Sequence, residues 1–128
     1  MIVKTDTKEK FTVITIQEAT LSANMTANIK QLDSYGQHEI PHIVINMTEV
    51  TNIDTEAAQA LANLQQQFYE RNQSFVICGL QPAVEQVFET ADLLDVMNVT
   101  PTESEAWDIV QMEEIERELL SDFDDEEN

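Results

Sequence analysis

Basic residues are scarce in this chain: 6 Lys and Arg stand against 25 Asp and Glu, a formal net charge of −19. Such a charge repels phosphate backbones and anionic lipid headgroups, and no basic patch interrupts it, so no nucleic-acid partner is expected. Glycine is scarcer still, with 2 residues, beside 3 prolines. Two glycines do not build a phosphate-cradling loop, and the GxSxG, HExxH and paired CxxC patterns are all missing. The single cysteine, Cys78, rules out an internal disulfide. No run approaches the roughly 18 apolar residues that a membrane helix needs, so no membrane insertion is expected. Met1 to Asp6 lack the apolar stretch of a signal peptide, and a reducing cytoplasm is the expected location. His38 and His42, four residues apart outside any helix, do not have ligand spacing. They read as surface histidines, and neither a metal nor a cofactor is expected.

What is present is a patterned chain of 128 residues, 42% hydrophobic, the length of one domain with one core. Phe11 to Gln17 alternates, with Phe11, Val13 and Thr15 on one side and Thr12, Ile14 and Ile16 on the other, which predicts a strand. Ile2 and Val3 suggest a short strand before it. Leu21, Met25, Ile29 and Leu32 lie on one helical face, and Gly36 offers a stop. His42 to Asn46 and Ser74 to Cys78 are short, nearly continuous apolar runs, as in central strands covered on both faces. Between them Ala57, Ala60, Leu61, Leu64 and Phe68 predict a helix to about Arg71, ended by Asn72. Pro82 opens a helix carrying Val84, Val87, Phe88 and Ala91. A last short strand is expected over Val96 to Val99. Thr102 to Glu105 forms a capping box before a final helix through Trp107, Val110 and Ile115, to about Leu120. The order implies an α/β fold with a mainly parallel, mixed sheet of four to five strands and about four helices. Residues 1–112 read as one domain, and residues 113–128 as an acidic helical extension with an unstructured tail from Ser121.

Individual side chains carry little chemistry. Cys78 closes an apolar strand and reads as a small buried hydrophobe. Trp107 reads as packing on the sheet. The turn at Asp54-Thr55-Glu56 is different, because open α/β sheets place their sites at the carboxyl ends of strands. Asp54 or Thr55 there can cap the following helix by accepting a backbone hydrogen bond. A phosphate on the Thr55 hydroxyl would instead meet the free N–H groups and positive dipole end of that helix. A small enzyme using Asp54 and Glu56 as acid and base is a third reading, but no nucleophile or pocket-forming loop supports it.

The stretch from His42 to Thr55, HIVINMTEVTNIDT, resembles the core motif of STAS domains, the bacterial anti-sigma-factor antagonists. Their pattern is an apolar strand, a polar linker, an apolar residue, and then Asp-Ser-Ser-Gly opening a helix. Val76 to Pro82 resembles their next strand and its exit turn. Leu93-Leu94, Val99 and Glu105-Ala106 resemble their closing segment, so the likeness spans about residues 9–112. It implies a STAS-like fold and a non-enzymatic regulator of transcription by partner switching. In the family, the serine after the Asp is phosphorylated by a serine/threonine kinase that is also the anti-sigma factor, and phosphorylation abolishes binding. The resemblance therefore implies Thr55 as phospho-acceptor and Asp54, Thr55, Glu56 and Ala57 as the partner-binding turn. Glu56 replaces the second Ser and Ala57 replaces the Gly. Two versions follow: Thr55 is a working switch, or Glu56 partly mimics a phosphorylated turn. The alternative function is a STAS subunit of a stress-sensing scaffold or a lipid-transport complex, without phosphate control. A homodimer is compatible with the sequence but not specified by it.

Overall fold

Alternation along three short strands sets the architecture. In the computed structural model, residues 1–127 are described by their backbone and residues 1–120 by their side chains also. Strand β2 (Thr12–Ile16) pairs in parallel with β4 (Ile43–Asn46), β4 with β6 (Phe75–Cys78), and β6 with the short β7 (Val99–Thr100). Strand β1 (Val3–Thr7) joins β2 antiparallel, completing a five-stranded mixed sheet in the order β1-β2-β4-β6-β7. Side chains of period 2 divide between the two faces. Ile14, Ile16, Ile43, Ile45, Phe75 and Ile77 enter the larger core, whereas Phe11, Val13, Val44, Val76 and Cys78 enter the smaller one. That explains the uninterrupted apolar runs, since both faces are covered.

The helices take opposite sides. Helix α1 (Thr26–Lys30), α2 (Thr55–Glu70) and α3 (Pro82–Thr90) supply Ile29, Leu61, Leu64, Phe68, Val84 and Phe88 to the larger core. Helix α4 (Glu103–Glu127) alone covers the other face, through Ala106 and Val110 with Trp107 and Ile109 beside them. Fully burying an aliphatic or aromatic side chain is worth about 1.5–3 kcal/mol, so each interlocked layer contributes heavily. Helix α2 ends as the sequence suggests: Asn72 takes φ 60°, and Asn72 and Gln73 donate their N–H groups to Tyr69 and Phe68 carbonyls. The capping box at α4 is half formed, with the Glu105 N–H donating to Thr102 Oγ1 at 3.2 Å.

Five local expectations change. Leu21 does not begin a helix; Thr20–Leu21 is a strand, β3, paired in parallel with β5 (Asn52–Ile53) as a separate two-stranded sheet. The helix after it is broken, running as 3-10 turns on both sides of α1. Gly36 is no helix stop. It lies inside the second 3-10 segment, where a Cβ would sit 2.7 Å from the Phe68 ring, so close packing against α2 is what requires glycine. Val96 is not in a strand but ends a 3-10 turn, exposed, and β7 starts at Val99. Strand β1 extends to Thr7 although its residues are mostly exposed, because an edge strand needs no apolar pattern. The final helix was expected to end near Leu120, with an unstructured tail from Ser121; the backbone of α4 runs on to Glu127, and Asn128 lies outside the described residues.

Candidate functional site

The turn at Asp54 lies at the carboxyl end of the parallel strands, where chain reversals from three strands converge. Asn46 Oδ1 accepts hydrogen bonds from the Thr48 N–H at 3.0 Å and the Thr48 hydroxyl at 2.7 Å, turning the chain out of β4. Gln81, just before α3, donates from Nε2 to the Thr48 carbonyl at 2.8 Å. Gly79 takes φ +74° between them, close against Thr48, a conformation and a space that suit only glycine. The Asp54 N–H donates to the Leu21 carbonyl, and the Thr51 and Asn52 N–H groups both donate to that of Ala19. The start of α2 is therefore tied to the segment after β2.

Asp54 stands at the N-cap position with extended backbone angles, yet its carboxylate does not cap α2. Oδ2 instead accepts the Ala23 N–H at 2.8 Å, bracing the 3-10 turn that precedes α1. The capping role expected of Asp54 or Thr55 is thus unfilled, the Asp54 carboxylate being turned to the distant Ala23 N–H. The first N–H groups of α2 keep no side-chain partner. Thr55, the first helical residue, is exposed and lines a shallow groove against Ala83, Gln86, Val87 and Thr90 of α3. Glu56 is exposed too, but lines a different groove, with Ala23, Thr26 and Lys30 on the α1 side. Ala57 is fully buried, so it shapes the site from beneath and presents no surface.

The Asp54 carboxylate is engaged by the Ala23 N–H, whereas Glu56 lines the groove on the α1 side. The groove residues Gln86 and Thr90 were not singled out from sequence; only their position on the outward side of α3, one turn apart, marks them. Among the described residues no group of three or more His, Cys, Asp and Glu side chains is placed to hold a metal. No described helix is long and apolar enough to cross a membrane.

Among the remaining candidates, His42, Cys78 and Trp107 pack into the fold. His38 is exposed, but His42 is not the surface residue expected. It is buried at the start of β4, and Nδ1 accepts the Ser74 N–H at 2.9 Å. Burial, then the Arg117 charge, holds its pKa below the ordinary value despite Glu114 nearby. Cys78 is buried, and burial with the Glu103 charge pushes its thiol up to about 11. Trp107 is half-buried and stacks on Phe11 with ring centroids 4.9 Å apart. Tyr69 hydrogen-bonds to Glu113 at 2.7 Å and accepts from Asn98, joining α2, the approach to β7 and α4. Its phenol lies well above the ordinary range, first through burial and then through Glu113.

Known proteins share this arrangement. An anti-sigma factor antagonist from Mycobacterium paratuberculosis superposes with a TM-score of 0.71 at 16% identity, over 86% of this chain and 93% of its own. The anti-sigma factor antagonist SpoIIAA, in its unphosphorylated form, superposes at 0.69 and 16% identity, over 86% and 96%. A sulfate transporter family protein from Wolinella succinogenes reaches 0.69 at 12% identity, over 83% and 88%. At these identities the likeness is one of fold. The family model of the STAS domain matches residues 3–106, and by that match, with the strand order and the Asp54 turn, this chain belongs to the STAS domain family.

Proposed function

We propose that this protein is a non-enzymatic, cytoplasmic regulator that binds an anti-sigma serine/threonine kinase through the start of α2, and that phosphorylation of Thr55 ends the binding. The observation that carries the reading is the exposed Thr55 hydroxyl at the first position of a helix that no side chain caps. A kinase reaches such a hydroxyl without unfolding anything. The phosphate adds about −1.5 to −2 charges beside the exposed Asp54 and Glu56 carboxylates. It also lands where free N–H groups and the helix dipole accept it, so the domain stays folded while the surface becomes more negative. Glu56 lines the groove on the α1 side, away from that of Thr55. This placement argues against a permanent phosphate mimic and favours Thr55 as a working switch.

The test is recovery of the partner from the source cell with the tagged chain, followed by incubation with Mg-ATP and peptide mapping. Kinase of the anti-sigma type should be captured, phosphate mass should appear on the Thr55 peptide, and the complex should then dissociate. Thr55→Ala should hold the kinase through the ATP step. A kinase that is active on other substrates yet leaves the Thr55 peptide unmodified overturns the switch. Recovery of transporter or scaffold subunits in place of a kinase moves the protein to the alternative, unswitched class.

A further inference from the structure

We propose that the outer face of α4 is a second docking surface, which takes a basic amphipathic helix of a partner protein. Met112, Ile115 and Leu119 are 59%, 56% and 57% exposed, and Leu120 is 65% exposed. Spacings of three and four place Met112, Ile115 and Leu119 on one stripe. That stripe is not the face that holds α4 to the sheet: Ala106 and Val110 are fully buried there and lie on the opposite side of the helix. Large apolar side chains grouped on an exposed helix face mark an interaction site more often than chance exposure.

Charge states what kind of partner fits. Asp108 precedes the stripe by one turn, and Glu116 and Glu118 flank it, all exposed. The only base on α4 is Arg117. It is turned inward, its guanidinium donating to Ser74 Oγ at 3.1 Å and lying 6.0 Å from the centre of the Tyr69 ring. The charged residues bordering the apolar stripe are thus all acidic. A second copy of a chain with net charge −19 would bring the same acids against it, and an anionic bilayer or nucleic acid would be repelled likewise. A partner with Lys or Arg flanking an apolar ridge pairs both features. A ridge with helical spacing seats most closely against another helix, ridge into groove.

The surface is separate from the Thr55 turn. Helix α4 covers one face of the sheet, whereas α1, α2 and α3 cover the other. Both partners can therefore be held together, which makes the chain a connector as well as a switch.

The probe is a fluorescein-labelled lysine–leucine peptide with leucines at helical spacing, titrated onto the full chain by anisotropy. Controls are a scrambled peptide of the same composition and a glutamate–leucine peptide of the same pattern. The patterned basic peptide should bind, weaken as salt is added, and lose about tenfold or more in affinity with Ile115→Ser or Leu119→Ser. Both positions are exposed, so the variants keep the thermal midpoint, which is measured alongside. Thr55→Glu should leave this binding unchanged, so its failure is distinguishable from failure of the phosphoswitch. Equal binding of the scrambled peptide, equal binding by the serine variants, or preference for the acidic peptide overturns the proposal. So does a concentration-dependent dimer in sedimentation velocity that Ile115→Ser abolishes, since the occupant is then a second copy.

Discussion

His42 shows how a single residue acquires a property from its surroundings. Its Nδ1 accepts the Ser74 N–H, which only an unprotonated nitrogen can do, and Arg117 adds a repelling charge. The imidazole is therefore held neutral in the fold, below its ordinary value of 6.5, while the unfolded chain titrates near that value. The unfolded state binds more protons through this window, so stability rises with pH there and is lost as pH falls below about 6.5. Asparagine preserves an acceptor for Ser74 and removes the titration. Urea unfolding at about pH 7.5 and about pH 5.5 should show the native protein losing more stability on acidification than His42→Asn. Equal losses in the two proteins would mean that His42 does not titrate on unfolding. The same burial makes the Cys78 thiol inert, which fits its role as a packing residue beneath α4.

At the scale of elements, the site depends on one helix being anchored to another through Asp54. Its carboxylate holds the Ala23 N–H, while its own N–H is held by Leu21. Asp54→Ala deletes the first of these bonds and should cost about 1 kcal/mol, the net worth of a typical hydrogen bond. Asp54→Asn keeps a side-chain acceptor and should retain most of the stability. Denaturant midpoints for the two variants check this, and an alanine variant as stable as the native chain would remove the anchoring role. The strands β2, β4 and β6 and the inner face of α2 were readable from apolar spacing, because burial imposes that spacing directly. The β3–β5 pair was not, since two residues per strand are too few to show a period. Leu21 fits a helical stripe as well as it fits a strand, and hydrogen bonds from residues 51–54 decide between them. Likewise Gly36 reads as a stop until the Phe68 ring is seen against it.

For the whole molecule, the excess of acids sets the conditions of stability and association. A net charge of −19 repels itself in the compact state, and added salt screens that repulsion with a Debye length of about 10 Å at 0.1 M. The thermal midpoint should therefore climb as sodium chloride is raised from low ionic strength to the physiological range. A midpoint that falls would show instead that favourable ion pairs dominate. Few are in place to oppose this: Lys8 with Asp6 at 2.7 Å and Arg71 with Asp33 at 2.8 Å both use scarce bases. With so little basic surface, the field of the molecule favours approach of positively charged groups over acidic ones.

The sequence alone determined the alternation of strands and helices, the two-sided sheet, the turn at Asp54-Thr55-Glu56 and the family to which it belongs. All of these follow from local spacing and from a contiguous motif. Only the tertiary structure decided that Asp54 braces Ala23, 31 residues away, and leaves its own helix uncapped. It alone separated Glu56 from Thr55 into different grooves, buried Ala57 and His42, and left the Met112–Leu119 stripe bare. Each of these is a contact, or a missing contact, between distant segments. Such contacts depend on how elements pack rather than on the period of any one of them.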